Sequence, residues 1–148
     1  MKAFLSLVAA SVLLFAATGS ASTATSTLNG LTMRREHVPA PNTKRKQYLT
    51  NVDLYSLRRG KQLEATLEVG RFRSDAPVAR LSFRRSIAGE VGTTVPIEER
   101  IAGTTVYLAK ARKLAVAVWF SGRELDVLSI RADYDTPKSL IRAALELR

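Results

Sequence analysis

Apolar and polar residues alternate in short runs after residue 49, and the clearest example is the run 61–72. Its alternating apolar residues are Leu63, Ala65, Leu67 and Val69. A period of two is typical of a strand with one face buried. The run 52–59 precedes it across Gly60, so the pattern predicts an antiparallel hairpin.

Two segments have the spacing of helices. The first follows Pro77, a residue suited to a first helical turn, and its apolar residues recur every four positions: Ala79, Phe83, Ile87 and Val91. The second begins near the C-terminus, where Thr136 is a favourable N-cap and Pro137 a favourable first residue. Its predicted buried stripe is Leu140, Ile141, Ala144 and Leu145.

Four more apolar runs lie between these helices and predict a meander of antiparallel strands. They cover residues 96–102, 104–110, 113–121 and 124–132. The third run is apolar on both faces, as expected of an inner strand. The predicted fold class is α+β: a single antiparallel sheet in the order strand, strand, helix, four strands, helix, covered by one layer of two helices.

The N-terminal third differs in character from the rest. Residues 1–21 have a basic start at Lys2, an apolar stretch and small residues up to Ala21, which is the layout of a signal peptide. We predict cleavage near Ala21 and a secreted or cell-envelope protein without a stable transmembrane segment in its mature chain. Residues 22–48 are rich in Ser, Thr, Pro and Lys/Arg, which predicts a flexible basic arm before an α+β domain at 49–148.

An alternative topology stays open because the basic residues follow the apolar stretch instead of preceding it. They are Arg34, Arg35, Lys44, Arg45 and Lys46. The positive-inside rule would place this side in the cytoplasm if the leader were retained. In that case nucleic acid would become a candidate partner.

Charge is the feature that departs most from an ordinary composition. The 148 residues contain 23 Lys and Arg against 13 Asp and Glu, for a net charge of +10. Two basic groups fall at predicted turns, and together they form a candidate anion-binding rim of the sheet: Arg58, Arg59, Lys61, Lys110, Arg112 and Lys113. Outside the cell the candidate partners are an anionic envelope polymer, lipid headgroups or an acidic protein, and nucleic acid is not expected.

Residues for catalysis and cofactor binding are scarce. The chain has no Cys and a single His, His37 in the predicted arm, so cysteine chemistry is excluded and a Ser/His/Asp triad is not expected. Glu98 and Glu99 are neighbours in a predicted strand and point to opposite faces. No glycine-rich phosphate loop is present. We expect no catalytic site, no metal site and no cofactor.

The sequence therefore predicts a secreted, non-enzymatic, basic binding domain for an anionic envelope component or a protein partner. Two alternatives remain. One is a small envelope hydrolase that uses acids such as Asp133 and Asp135. The other is an extracytoplasmic lipid carrier with a cavity between sheet and helix.

Two stretches, 51–58 (NVDLYSLR) and 118–125 (VWFSGREL), resemble uncharacterised exported proteins of high-GC Gram-positive bacteria. The resemblance covers about residues 51–147. The end of the chain, with two runs joined at Gly122 and a helix opened by Thr136 and Pro137, is similar to the extracytoplasmic domains of some anti-sigma regulators. These resemblances imply an extracytoplasmic location and assign no catalytic residue.

Overall fold

The computed structural model describes residues 25–37, 44–131 and 137–147. Within these residues the chain forms eight strands, two α-helices and one short 3-10 helix. The strands are β1 (Ser26–Leu28), β2 (Leu31–Glu36), β3 (Leu49–Arg59), β4 (Gln62–Phe72), β5 (Ile97–Ile101), β6 (Thr104–Ala111), β7 (Leu114–Ser121) and β8 (Glu124–Arg131). The helices are α1 (Leu81–Val91), α2 (Pro137–Glu146) and the 3-10 helix Lys44–Tyr48.

All eight strands belong to one antiparallel sheet with the order β1-β2-β3-β4-β8-β7-β6-β5. The order consists of two four-stranded meanders, β1 to β4 and β5 to β8, which meet where β4 pairs with β8. Helix α1 connects the meanders by crossing one face of the sheet. The second meander therefore starts at the far edge, and its last strand returns to the first meander.

Each face of the sheet is covered by one helix, because successive side chains of a strand point to opposite faces. On one face, Ile87 and Val91 of α1 pack with Phe72 and Phe120. On the other face, α2 packs its apolar stripe onto a core around Trp119, and that stripe is Leu140, Ile141 and Ala144. The run that is apolar on both faces, β7, is an inner strand between β6 and β8.

The sheet curls around α2, and two contacts at the first turn of the helix show this. Lys138 Nζ lies 2.6 Å from Glu99 Oε1 on the edge strand β5. The adjacent Ser139 Oγ accepts a hydrogen bond of 3.1 Å from Asn29 Nδ2, in the turn after the other edge strand, β1. Eight flat strands would span about 34 Å at about 4.8 Å per spacing. A helix about 10 Å across can reach both edges only if the sheet is strongly curved.

Several predicted elements are confirmed. The hairpin is formed by β3 and β4, with Leu57 opposite Ala65. The four predicted strands between the helices are β5 to β8. The final helix begins at Pro137. Helix α1 begins four residues later than predicted, because Pro77 to Arg80 forms a separate turn in which Arg80 N donates to Pro77 O (2.9 Å).

The predicted α+β class, with one layer of two helices on the sheet, is wrong. The described chain is mainly strand, and its two α-helices lie on opposite faces of an eight-stranded sheet. The sequence interpretation placed no strand before residue 49, but β1, β2 and the 3-10 helix are there. The segment lacks long apolar runs, yet it contributes Leu28 and Leu31 to the core under α2.

Several predictions concern residues outside the described ranges. The signal peptide at 1–21 is among them, and so are Asp133, Asp135 and the N-cap Thr136. None of the helices that the structure describes has both the length and the apolar character needed to cross a lipid bilayer.

Candidate anion-binding rim and apolar pocket

The two predicted basic turns lie at the same end of the sheet. The β3–β4 turn lies beside the end of β8, because Ala65 of β4 pairs with Ile130 of β8. The end of β8 in turn lies beside the β6–β7 turn, since Arg131 pairs with Leu114. Three inter-strand spacings separate the centres of the two turns, or about 14 Å along the sheet. These pairings place the two turns at the same end of the sheet.

Side chains of the β3–β4 turn differ in their roles. Arg58 is half-buried and its Nη1 donates to Lys61 O (3.2 Å), which closes the turn around Gly60. Arg59 Nε lies 3.8 Å from Glu64 Oε1, so it neutralises a carboxylate that is almost fully buried. Lys61 projects into solvent. Of these three residues, Lys61 has the side chain best placed to contact a ligand.

The β6–β7 turn presents three exposed basic residues, Lys110, Arg112 and Lys113. Arg112 adopts a φ of 55°, as the tight turn requires. Arg131, which the sequence interpretation did not select, lies between the two turns at the end of β8. We refer to this set as the basic rim: Arg58, Arg59, Lys61, Lys110, Arg112, Lys113 and Arg131.

Several basic residues elsewhere in the described chain have structural partners. Arg45, expected in the flexible arm, is buried, and its Nη2 lies 3.0 Å from Glu68 Oε2. Arg35 pairs with Asp53. Arg84 Nε donates to Val78 O (2.6 Å), and its guanidinium lies 5.5 Å from the ring centroid of Phe120. These residues stabilise the fold instead of adding to a binding surface.

Glu98 and Glu99 diverge, as the strand geometry predicts. Glu98 Oε1 accepts a hydrogen bond from Arg85 Nε of α1 (2.6 Å), whereas Glu99 binds Lys138 of α2 on the opposite face. The Glu98 carboxylate raises the pKa of Arg85 above its ordinary value. The pKa of Tyr107, which pairs with Glu98 across β5 and β6, is raised by burial and further by the Glu98 charge. This pair of acids cannot act on one substrate.

An apolar pocket of about 450 Å³ opens next to the basic rim. Nine of its twelve lining residues are apolar, and the others are Thr94, Lys110 and Lys138. This volume is typical of small-molecule sites, which span about 300 to 1,000 Å³. Lys110 belongs both to the pocket lining and to the basic rim, so the two features are continuous.

The pocket exists because side chains are small where the sheet passes beneath α2. Ala115 and Ala117 lie on the α2 face of β7 and pair with Lys110 and Leu108 of β6. On β8 the corresponding positions are Ile130 and Leu128, which are fully buried. Two methyl groups therefore replace the larger side chains that would fill this space, and an open pocket results.

The mouth of the pocket carries the two most exposed large apolar side chains of the described chain. Val95 is 88% exposed and Ile97 is 71% exposed. The segment that leads to them is fixed to β6, because Thr93 N donates to Lys110 O (2.7 Å) and Lys110 N donates to Thr94 Oγ1 (3.0 Å). Val95 is thus exposed at the end of a hydrogen-bonded segment.

The described residues contain no group of three or more His, Asp or Glu side chains placed to bind a metal ion. His37 is exposed and follows the last residue of β2, away from the basic rim. A cavity between sheet and helix was one of the alternatives that the sequence left open, but the sequence pattern did not identify its lining residues, nor Arg131 or Lys138. The alternation of Ala115 and Ala117 with larger residues was visible, but the space above them depends on where α2 lies.

Comparisons with known proteins identify no relative of this chain. No family description matches the sequence, no curated protein is similar to it, and no solved structure matches its fold.

Proposed function

We propose that this protein is a non-enzymatic, extracytoplasmic binding domain for an anionic component of the cell envelope, which it contacts through the basic rim. The observation that supports this most strongly is the position of two basic turns, about fifty residues apart in sequence, at one end of the sheet. Clustered cations attract an extended anion and lose affinity as salt rises. A ligand with several negative charges can contact both turns at once.

The binding test uses linear inorganic polyphosphate as the probe and isothermal titration calorimetry as the measurement. The variant Lys61→Gln/Lys110→Gln/Lys113→Gln removes three exposed charges and spares Arg58 and Arg59, whose side chains bond within the fold. We expect at least a roughly tenfold loss of affinity and a weaker salt dependence.

The matched control removes three exposed charges elsewhere, through Arg71→Gln/Arg73→Gln/Arg100→Gln. These residues are exposed and lie outside the basic rim. Because the net charge changes equally in both variants, a general charge effect would lower the affinity of both variants for polyphosphate equally. Equal losses, or no binding by the wild-type protein at low salt, would contradict the proposal.

The extracytoplasmic location is proposed from residues 1–21 and has its own test. Intact mass of the natively expressed protein, measured in medium, membrane and cytosolic fractions, should give a released species that begins at Ser22. Full-length protein in the membrane fraction, with the domain protected from external protease, would favour the cytoplasmic alternative.

A further inference from the structure

We propose that the pocket beside Lys110 binds the hydrocarbon chain of a single-chain anionic amphiphile whose phosphate group contacts the basic rim. The inference rests on the proposed function, because the same rim would bind the head group. It adds that the natural ligand is a lipid instead of a free polyanion.

The lining of the pocket suits an alkyl chain. Ala115 and Ala117 of β7 and Ile141 of α2 are among its lining residues. The pocket is apolar apart from Thr94 and the two lysines. A mostly apolar lining with a few polar groups is typical of ligand sites, in which the polar groups fix the orientation of the ligand.

Val95 and Ile97 are exposed in a conformation that the fold maintains. Thr93 N donates to Lys110 O and Thr94 Oγ1 accepts from Lys110 N, and these two hydrogen bonds fix the segment before Val95. Contact with a hydrocarbon chain would remove both side chains from water, which is favourable in proportion to the apolar area buried.

The charges at the pocket define the head group. Lys110 and Lys138 both line it, and Lys138 is positioned by its ion pair with Glu99. Lys110 continues into the β6–β7 turn with Arg112 and Lys113. An anionic head group beside Lys110 would therefore meet several cations, whereas a cationic head group would be repelled and a neutral one would gain no net attraction.

The test measures binding of n-alkyl phosphates of four, eight and twelve carbons, each below its micelle concentration. The fluorescence of Trp119, the single tryptophan, provides the signal, since it lies two residues from Ala117 on the same face of β7, at about 7 Å. We expect affinity to rise by up to about fourfold for each added methylene group.

The pocket variant Val95→Ser/Ile97→Ser changes two exposed side chains without altering charge. Its matched control is Leu81→Ser/Leu147→Ser, which changes two exposed leucines away from the pocket (49% and 53% exposed). A second pocket variant, Ala115→Phe, fills the space from inside. We expect both pocket variants to lose the dependence on chain length and the control to retain it.

The outcomes separate this inference from the proposed function. Polyphosphate binding that survives in Val95→Ser/Ile97→Ser, together with lost chain-length dependence, supports the inference. Equal affinity of the wild-type protein for all three alkyl phosphates would overturn it and leave the anion-binding function intact. Failure to bind both alkyl phosphates and polyphosphate would overturn both.

Discussion

Lys138 Nζ lies 2.6 Å from Glu99 Oε1, and this ion pair joins the first turn of α2 to the edge strand β5. The neighbouring Ser139 contacts Asn29 at the opposite edge of the sheet. One helical turn thus connects both edges of an eight-stranded sheet. The same turn positions Lys138 at the pocket, so one helical turn both contacts the two edges of the curved sheet and provides a cation to the pocket.

The Lys138–Glu99 pair should contribute little to stability although it positions a side chain. Both side chains are more than a third exposed (66% and 36%), and solvent screening limits such pairs to about 1 kcal/mol or less. We expect Lys138→Gln to change the free energy of unfolding in urea by no more than that. A loss above about 2 kcal/mol would show that the pair is a main support of the α2 packing.

The buried pair of Arg45 and Glu68 should behave differently. Their side chains are 5% and 12% exposed, and removing one partner leaves an uncompensated charge in a desolvated site. We expect Arg45→Met to lower the free energy of unfolding by about 3 to 5 kcal/mol.

The double variant Arg45→Met/Glu68→Leu serves as the control for that experiment. It removes both charges, so most of the lost stability should return. A single-variant effect within about 0.5 kcal/mol of wild type would contradict a stabilising role for the Arg45–Glu68 pair.

Truncation of Leu31 tests whether the hairpin of β1 and β2 belongs to the core. The Leu31 side chain is 0% exposed, and truncation of a buried leucine creates a cavity that costs about 2 to 5 kcal/mol. We expect Leu31→Ala to have this effect in chemical denaturation and the exposed neighbour variant Thr32→Ala to stay within about 0.5 kcal/mol of wild type. Indistinguishable stabilities of the two variants would support the flexible arm instead.

Tyr107 should make the protein less stable at high pH. Its pKa is raised in the folded state, by burial and then by Glu98, so the folded chain binds this proton more tightly than the unfolded chain. The stability that this shift contributes is fully present below about pH 10, the ordinary pKa of tyrosine. It is lost as the pH rises through the raised pKa of the folded state.

Comparing wild type with Tyr107→Phe isolates this effect from other groups that titrate in the same range. Urea denaturation between pH 8 and pH 11 should give a constant difference in unfolding free energy up to about pH 10. Above that pH, wild type should lose stability relative to the variant. A difference that stays constant over the whole range would show that folding does not raise the pKa of Tyr107.

The sequence was sufficient to predict an element wherever the local hydrophobic periodicity agrees with the burial of its residues. The alternation from Leu63 to Val69 predicts β4, and the spacing of Leu140, Ile141 and Ala144 predicts the buried face of α2. The same reasoning failed for β1 and β2, whose core contribution is limited to isolated leucines. A local signal was nevertheless present, because Asn29 and Gly30, with φ of 49° and 76°, form the two-residue turn that favours a hairpin.

The candidate site was only partly predictable for a different reason. The basic turns follow from sequence position once the hairpins are assigned, and the structure brings them together through the pairing of β4 with β8. The pocket depends on the distance between α2 and Ala115, which no local pattern determines. The role of Arg45 likewise depends on Glu68, which is more than twenty residues away in sequence.

Mapping the anion-binding surface by NMR is the most direct test of the proposed function. Polyphosphate titrated into ¹⁵N-labelled protein should shift the amide resonances of Gly60, Lys61, Arg112 and Lys113, in the two turns of the basic rim. The amides of Gly103 and Gly122, in turns at the opposite end of the sheet, should stay in place. Shifts confined to that opposite end, or no shifts at low salt, would contradict the assignment of the basic rim as the binding surface.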